Sequence, residues 1–306
     1  MDPSKARWSF EVHGKEVRVG RRVVRLGFLD GEGYQFLDEP LAELETVRRF
    51  RPKVDVFTFI QKISDPTPKY DLPMELDNFA VVRVTTFDEW LTHQIDFKAR
   101  NKVRKAAKHG VLVREVPLDD GLIRGISEIY NESPIRQGRP FAHYRKDCYT
   151  IRKMKATFLE RSIFIGAFFE DKLIGFIKLV ANEDASQAGL MHIISMLQHR
   201  DKAPTNALIA QAVRSCADRG IPYLWYANMD YGKKQGGSLA EFKRHNGFQK
   251  IEIPRYYVPL TLAGHIALRF GLHHEVVNWI PHSVAMQIRR MRSFWYEKRY
   301  VDSESA

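Results

Sequence analysis

The alternation of hydrophobic and polar positions changes period several times along this chain. Within residues 1–95, short apolar runs separated by turn residues predict strands over 16–26, 34–36, 54–60 and 78–84. From residue 97 the period becomes helical, because Ala99, Val103 and Ala106 fall on one face and Gly110 stands where a helix would end. We therefore expect a helix over 97–109 and a strand over 111–116.

The rest of the pattern predicts a mixed α/β domain. Helices over 122–131 and 144–159 lead into three antiparallel strands, over 162–169, 173–181 and 189–197. A helix over 204–219, a strand over 223–229, a helix over 238–245 and a strand over 249–257 follow. Two more helical patterns end the chain, one over 262–270 and one from Pro281. The second carries Arg289, Arg290 and Arg292 beside its apolar stripe, so it docks on its own domain or lies on a membrane surface.

Composition places the chain among globular proteins with anionic partners. Its 306 residues are 44% hydrophobic, and 48 Lys and Arg against 37 Asp and Glu give a net charge of +11. This positive charge favours anionic binding partners, such as a phosphorylated cofactor, RNA or an acidic membrane face.

No apolar run approaches the about 18 residues of a membrane span. We therefore expect a cytoplasmic protein, with peripheral contact at the inner membrane face as the alternative. The two cysteines, Cys148 and Cys216, both fall in predicted helices, which favours neither disulfides nor a metal site.

The predicted helix over 97–109 is strongly basic and has no acidic residue to balance it. It is either a solvated helix face or the wall of an anion-binding groove. Its six cationic residues are Lys98, Arg100, Lys102, Arg104, Lys105 and Lys108.

Common catalytic motifs are absent: there is no nucleophile elbow, Walker loop, dinucleotide glycine fingerprint or His-Glu-x-x-His zinc motif. Three other segments, by their order and spacing, resemble the GNAT acyltransferase superfamily, and within it the FemAB-like branch with its CelD/BioF2-type relatives. They are residues 101–111 (NKVRKAAKHGV), 203–209 (APTNALI) and 242–248 (FKRHNGF). The resemblance spans residues 100–260.

The resemblance implies an α/β fold of α+β type, GNAT-like, with a central mixed, largely antiparallel sheet flanked by helices. It also implies two lobes, the first being a degenerate GNAT-like half. We therefore expect an N-terminal lobe over 1–95, an acyltransferase domain over 96–261 and a helical extension over 262–306.

The activity implied is direct, metal-independent N-acyl transfer to an amine acceptor, which is a small molecule or a cell-envelope precursor. Acyl-CoA is the expected donor, and aminoacyl-tRNA, used by FemAB relatives, is the alternative. A rival interpretation is a catalytically silent fold that binds polyanions through its basic helices.

The predicted donor site is the loop over 200–205 and the helix start that follows, because a first helical turn offers unpaired N–H groups and a positive dipole end. The residues assigned to it are Arg200, Lys202, Thr205, Asn206 and Ala207. The alternative is an ordinary helix start capped by Thr205 or Asn206. Members that bind coenzyme A usually carry glycines in this loop, and residues 191–219 contain none.

The predicted reaction centre lies between a strand end and the helix over 238–245, across a loop with three glycines. By position, Lys243 matches the lysine with which the family stabilises a phosphate or an oxyanion. Tyr231 would give a proton to the leaving group, and Asp230 would take the proton of the amine; a solvated turn carboxylate is the alternative for Asp230. His192 is either a base facing the cleft or a core histidine, and His245 is assigned to packing or surface.

Overall fold

The computed structural model describes residues 6–21, 23–230 and 237–274. Tyr231 and the predicted helix from Pro281, with Arg289, Arg290 and Arg292, lie outside the described residues.

The described strands are β1 Ala6–Val12, β2 Lys15–Arg21, β3 Arg25–Leu29, β4 Val56–Ile60, β5 Met74–Arg83, β6 Leu112–Val116, β7 Ile135–Arg136, β8 Arg139–Pro140, β9 Ser162–Phe169, β10 Lys172–Ala181, β11 Ala188–Ser195, β12 Tyr223–Trp225 and β13 Gln249–Pro259.

The described helices are α1 Pro40–Arg49, α2 Phe87–Glu89, α3 Phe97–Lys108, α4 Asp120–Asn131, α5 Cys148–Lys155, α6 Pro204–Asp218, α7 Ser238–His245 and α8 Leu262–Arg269. A π-helical turn, Trp90–Gln94, continues α2, and 3₁₀ turns occupy Leu159–Arg161 and Arg200–Lys202.

One sheet of eleven strands organises the described part of the chain, in the order β1-β2-β3-β4-β13-β5-β12-β11-β10-β9-β6. Its neighbouring strands are antiparallel except for the pairs β3–β4 and β11–β12. The predicted fold class, a mixed and largely antiparallel sheet flanked by helices, is confirmed.

The helices cover both faces of the strands around β10. Gly175 of β10 faces α6, since a Cβ atom on it would lie 3.1 Å from Leu208. Phe176, the next residue, faces the other side, where its ring lies 6.3 Å from that of Tyr130 in α4. Successive strand residues point to opposite faces, so β10 presents one face to α6 and the other to α4 and α5.

Two N-terminal predictions were wrong, and two elements before residue 50 were missed. The strand predicted over 16–26 is two antiparallel strands, β2 and β3, paired from Val17 with Leu29 to Arg21 with Arg25. The strand predicted over 34–36 is only an isolated bridge beside a turn. The elements missed are β1 and α1. The apolar positions of α1 are sparse, and only Leu44 and Val47 pack their hydrophobic side chains into the core.

Two later elements are shorter than their patterns predict. The helix predicted over 144–159 begins only at Cys148, because the Asp147 carboxylate accepts a hydrogen bond from the Thr150 N–H (2.8 Å) and caps it. The strand predicted over 223–229 ends at Trp225, close to Ala227, which has a φ of +46°. The helix predicted over 238–245 matches α7 at both ends.

Strands from both sides of residue 95 contribute to the same sheet. β13 pairs with β4 on one side and with β5 on the other. β5 in turn pairs with β12. The proposed boundaries after residues 95 and 261 stay predictions.

Candidate active site

The sheet opens between β11 and β12. These parallel strands pair only at Ala188 with Leu224 and at Gly189 with Trp225. The chain beyond β12 then follows β5, where the Tyr226 N–H donates to the Ala80 carbonyl at 2.8 Å. β11 instead continues beside β10 to Ser195. The β11/β12 opening is therefore bounded by residues 190–195 on one side and 226–230 on the other.

The β11 wall of this opening is irregular and partly exposed. Lys178 pairs with His192, but the next residue of β10, Leu179, pairs with Leu190, so Met191 is an extra residue in β11. Such bulges bend a strand and redirect its side chains. Residues 191–195 are partly exposed, whereas residues 188–190 are buried. The bulge thus coincides with the point where β11 becomes accessible.

The predicted donor loop lies directly after this wall. Residues Arg200–Lys202 form a 3₁₀ turn, and Ala203, with a φ of +54°, precedes the first turn of α6. No side chain caps α6, so the alternative of a cap from Thr205 or Asn206 is wrong. The Thr205 hydroxyl instead lies 2.8 Å from the Ser195 hydroxyl and ties the helix start to the end of β11.

The five residues predicted to bind the donor occupy different environments. Arg200 is exposed, and Lys202 is partly buried with its Nζ 4.7 Å from the Phe169 ring centre and 3.4 Å from Asp201. Asn206 is buried and donates to the Asn246 side-chain oxygen at 2.9 Å, which joins α6 to the end of α7. Ala207 is also buried. Arg200 and Lys202 therefore offer charge at the helix start, while the Asn206 side chain is engaged within the protein.

Lys243 of α7 is completely buried. Its Nζ donates to the Asn228 carbonyl at 2.7 Å and lies 4.4 Å from the centre of the Tyr226 ring. Both partners belong to the chain bordering the β11/β12 opening. Burial lowers the pKa of Lys243 to about 8, and the nearby Asp230 carboxylate acts in the opposite direction.

Asp230 is brought close to Lys243 by the chain that leaves β12. The Asp230 N–H donates to the Asn78 side-chain oxygen at 2.7 Å, which fixes the backbone against β5. Its Oδ1 atom is buried and has no hydrogen-bond partner among the described residues. A carboxylate oxygen in this state is placed to accept a proton from a ligand. The catalytic roles of Lys243 and Asp230 stay predictions, as does that of Tyr231.

The basic helix α3 borders the donor loop. α3 contacts both α6 and the Arg200–Lys202 turn. Asp96 holds it in place, since its carboxylate accepts from the Ala99 N–H at 2.7 Å and also contacts the His245 imidazole. His245 thus lies partly exposed at the surface and contacts the start of α3, within the packing or surface assignment made from the sequence.

The cationic residues of α3 differ in their surroundings. Arg100 is part of the scaffold, because its guanidinium donates to the carbonyls of Leu91 (2.7 Å) and Ile95 (3.2 Å). The others are exposed and form no ion pair with any residue that the structure describes. They are Lys98, Lys102, Arg104, Lys105 and Lys108.

Sequence reasoning missed a second group of basic side chains, on the face of the sheet that α4 and α5 cover. Lys155 and Lys178 are completely buried there, beside His143 and His192. We call these four residues the α4/α5 basic cluster. The one signal in the sequence was Lys178, a charged residue in the middle of the apolar run 173–181. The interpretation of His192 as an ordinary core histidine overlooked these neighbours.

One group among the described residues brings three potential metal ligands within 4.8 Å of one another: Glu75, His273 and His274. Both imidazoles approach the same Glu75 oxygen, at 3.2 Å and 3.0 Å. The hydrogen bond from His273 lowers the pKa of Glu75. The contacts of the two imidazoles with the Glu75 carboxylate account for this grouping without a metal ion.

Solved structures show what this architecture is similar to. The structure of FemX superposes with a TM-score of 0.58, at 10% identity, over 85% of this chain and 88% of that chain. The C-terminal domain of a putative lysylphosphatidylglycerol synthetase from Agrobacterium fabrum gives 0.55, at 14% identity, over 87% and 88%. L-PGS from Bacillus licheniformis also gives 0.55, at 11% identity, over 86% and 88%. No protein-family model matches the sequence, and no curated protein matches it.

These similarities, with the order of elements from β6 to β13, show a GNAT-like fold of the FemAB-like type. The resemblance predicted from the sequence is confirmed at the level of the fold. Within the described residues, no helix has the length and apolar character needed to cross a bilayer.

Proposed function

We propose that the protein is an N-acyltransferase that moves an acyl group directly from a phosphate-bearing donor to an amine. The observation that carries the proposal is the completely buried Lys243, held beside the β11/β12 opening with Asp230 nearby. A preorganised cation in a site shielded from water stabilises developing negative charge more strongly than it does in water. FemX and the two lysylphosphatidylglycerol synthetases support transfer chemistry on this fold.

In the proposed reaction, the amine nitrogen attacks the donor carbonyl carbon and a C–N bond forms. The Lys243 ammonium stabilises the negative charge on the carbonyl oxygen or on a donor phosphate, and Asp230 accepts the proton lost by the amine. The intermediate collapses as the C–S or C–O bond to the donor breaks. Tyr231 supplies the proton to the departing thiolate or ribose hydroxyl.

The proposed mechanism has no covalent acyl-enzyme. Cys216 is completely buried, and burial raises the pKa of its thiol to about 12. Such a thiol is a poor nucleophile because the thiolate is the reactive form. Cys148 is exposed at the first residue of α5. Burial therefore argues against Cys216 as the nucleophile of a two-step route.

Acyl-CoA is the donor expected from the sequence, but a specific feature favours aminoacyl-tRNA as a second candidate. The exposed cations of α3 lie beside the Arg200–Lys202 turn, so the basic surface continues from the helix to the predicted phosphate site. A small cofactor needs only the turn, whereas an RNA backbone would also use the helix. The absence of glycines from residues 191–219 also favours the second donor.

The proposed acceptor is an amine on a small molecule or on a cell-envelope precursor. The proposed location is the cytoplasm, with peripheral contact at the inner membrane face through the C-terminal basic helix. A catalytically silent protein that binds polyanions is the rival.

Native mass spectrometry of freshly purified protein tests the donor, since coenzyme A species and tRNA differ greatly in mass. Co-purified coenzyme A or tRNA identifies the donor class. If the purified protein carries neither molecule, that result counts against a tightly held donor. Lys243→Met then tests the activity, because methionine keeps the length of the side chain and removes its charge. We expect turnover to fall about 10²-fold or more. Arg244→Met, on the exposed side of α7, is the matched control and should retain turnover. Full turnover by a folded Lys243→Met protein would contradict the proposed site.

A further inference from the structure

The α4/α5 basic cluster is assembled from four separate elements on one face of the sheet. Lys178 of β10 pairs across strands with His192 of β11. Lys155, the last residue of α5, lies over the same face with its Nζ 5.3 Å from the Phe176 ring centre. His143, in the loop before α5, lies 5.5 Å from His192, measured between ring centres.

Several polar atoms of this region lack hydrogen-bond partners. Lys178 Nζ donates to the Thr157 carbonyl and, at 2.9 Å, to the Thr157 hydroxyl. Lys155 Nζ, the Tyr130 hydroxyl and His143 Nδ1 are buried and have no hydrogen-bond partner among the described residues. The nearest neighbours of Lys155 Nζ include the faces of two aromatic rings, which do not replace a hydrogen bond. A buried polar atom without a partner is costly, so three together indicate that something else satisfies them.

The cluster also lacks acidic groups. None of its four residues forms an ion pair with a carboxylate in the described part of the chain, and the further charged group that acts on them, Lys146, is another cation. Elsewhere the described residues include two buried cations that are paired with carboxylates, Arg255 and Lys15. Arg255 lies 2.6 Å from both Glu32 and Asp77.

Lys15 gives a second comparison, since its Nζ lies 3.0 Å from Asp38 and 3.3 Å from Glu183. The absence of an acid beside Lys155 and Lys178 is therefore particular to this site and not a general property of the fold.

The lowered pKa values of the cluster determine how its residues would respond to a bound anion. Burial, followed by repulsion from Lys178 and Lys146, lowers the pKa of Lys155 to about 6. Burial lowers the pKa of Lys178 to about 8 and, with Lys146 and Lys155, that of His143 to about 4. Burial and the surrounding cations also hold the pKa of His192 well below its usual value. Near pH 7, Lys178 is charged and the others are mostly neutral, so they can take up protons when negative charge arrives.

The cluster reaches the β11/β12 opening through His192. His192 belongs to the β11 wall of the β11/β12 opening and is partly exposed, as is His143. The two lysines lie deeper on the same face. An anionic group that reached this face past the histidines would thus meet the amines of both lysines.

We propose that the α4/α5 basic cluster is an acceptor subsite that binds a dianionic phosphoryl group, held by Lys155 and Lys178. This rests on the proposed function, because it places the phosphate of the acceptor beside the opening where its amine would react. A phosphoryl group fits better than a carboxylate because the cluster can present two ammonium charges and two further imidazole donors. The phosphate belongs either to a soluble monoester or to a lipid headgroup.

Isothermal titration calorimetry with inorganic phosphate tests the subsite without any need for turnover. Titrations at pH 7 in two buffers of different ionisation enthalpy also measure the protons taken up. Binding of the dianion releases protons from phosphate that is monoanionic at pH 7, equally in every variant, so the uptake by Lys155 is measured as a difference between proteins. We expect the wild type to take up about one proton more than Lys155→Met, because Lys155 becomes charged. Lys155→Met should also weaken phosphate binding about tenfold or more. The matched control is Lys153→Met, on the exposed side of the same helix.

Unchanged phosphate binding in Lys155→Met, no binding by the wild type at millimolar phosphate, or equally strong binding of acetate would each overturn the proposal. O-phosphoethanolamine and vesicles containing phosphatidylethanolamine distinguish a soluble source of the phosphate from a lipid source. Lys243→Met separates the two proposals. It should keep the part of phosphate binding that Lys155→Met removes, so normal turnover in that variant would refute the proposed function and leave the subsite standing.

Discussion

Replacing Lys155 by methionine should stabilise this protein. At pH 7 the folded state keeps Lys155 mostly neutral, because its pKa is lowered to about 6 from an ordinary value of 10.5. Holding such a group neutral at pH 7 costs about 5 kcal/mol, at about 1.4 kcal/mol per pH unit. Methionine has a similar length and no charge, so this cost disappears. Because Lys155 also contacts two aromatic rings, we expect a smaller net gain in the free energy of unfolding, about 2 kcal/mol.

The pH dependence gives the same prediction a second test. The folded-state pKa of Lys155 is lower than its unfolded-state value, so between pH 6 and 10.5 the unfolded state binds more protons. The contribution of Lys155 to stability therefore rises with pH through this window. Below about pH 8 it should be the main lysine contribution, because Lys178 and Lys243 have pKa values of about 8. Lys155→Met should remove that rise between pH 6.5 and 8.

Urea unfolding followed by tryptophan fluorescence measures both quantities, at half-unit steps of pH. Lys153→Met, which changes an exposed lysine of α5, should leave the midpoint and its pH dependence unchanged. A lower unfolding free energy for Lys155→Met, or a pH slope equal to that of the wild type, would refute the reasoning. Either result would mean that the amine finds stabilising partners in the folded state.

Four further predictions concern the donor loop, the basic helix, the reaction centre and the scaffold. Lys202→Glu should weaken donor binding in calorimetry, and equal affinity would remove the loop from the site. If RNA is the donor, the slope of log affinity against log salt should shrink by about one for each exposed lysine removed from α3, and salt-independent binding would count against it. If charged Lys243 stabilises the transition state, turnover should fall as pH rises through about 8, and a flat profile would exclude that role. Gly264→Ala should lower the thermal midpoint of unfolding, because a Cβ atom would lie 1.9 Å from the Asp55 carbonyl oxygen, and an unchanged midpoint would show that α8 moves freely.

Much of the fold was predictable because its patterns are local. The three strands from β9 to β11 and the helices α3, α6 and α7 were predicted to within two residues, since each has an unbroken period and a clear end. The errors fell where tertiary contacts decide the structure. β12 is short because the chain after Trp225 forms hydrogen bonds with β5 and no longer pairs with β11. No local sequence pattern encodes this parting of β11 and β12.

The candidate site was predictable only where a family motif marks it. Lys243 and Asp230 were selected by position, and the structure places them together. Arg100 and Asn206 look like ligand-binding residues in the sequence but bond within the protein. The α4/α5 basic cluster joins residues far apart in sequence. Only the folded chain reveals that Lys155 and Lys178 lie near each other with no acidic side chain to balance them.

The position of β13 between β4 and β5 constrains the order in which this protein can fold during synthesis. A ribosome that has completed β12 has already released every other strand of the sheet, yet β4 and β5 still lack their shared neighbour. Such unpaired strand edges attract other chains, and contacts between distant segments form slowly. The nascent chain therefore leaves these edges of β4 and β5 unpaired until residues 249–259 emerge. Truncation before β13 should yield aggregates and no smaller folded unit, even though the residues of the proposed reaction centre precede it.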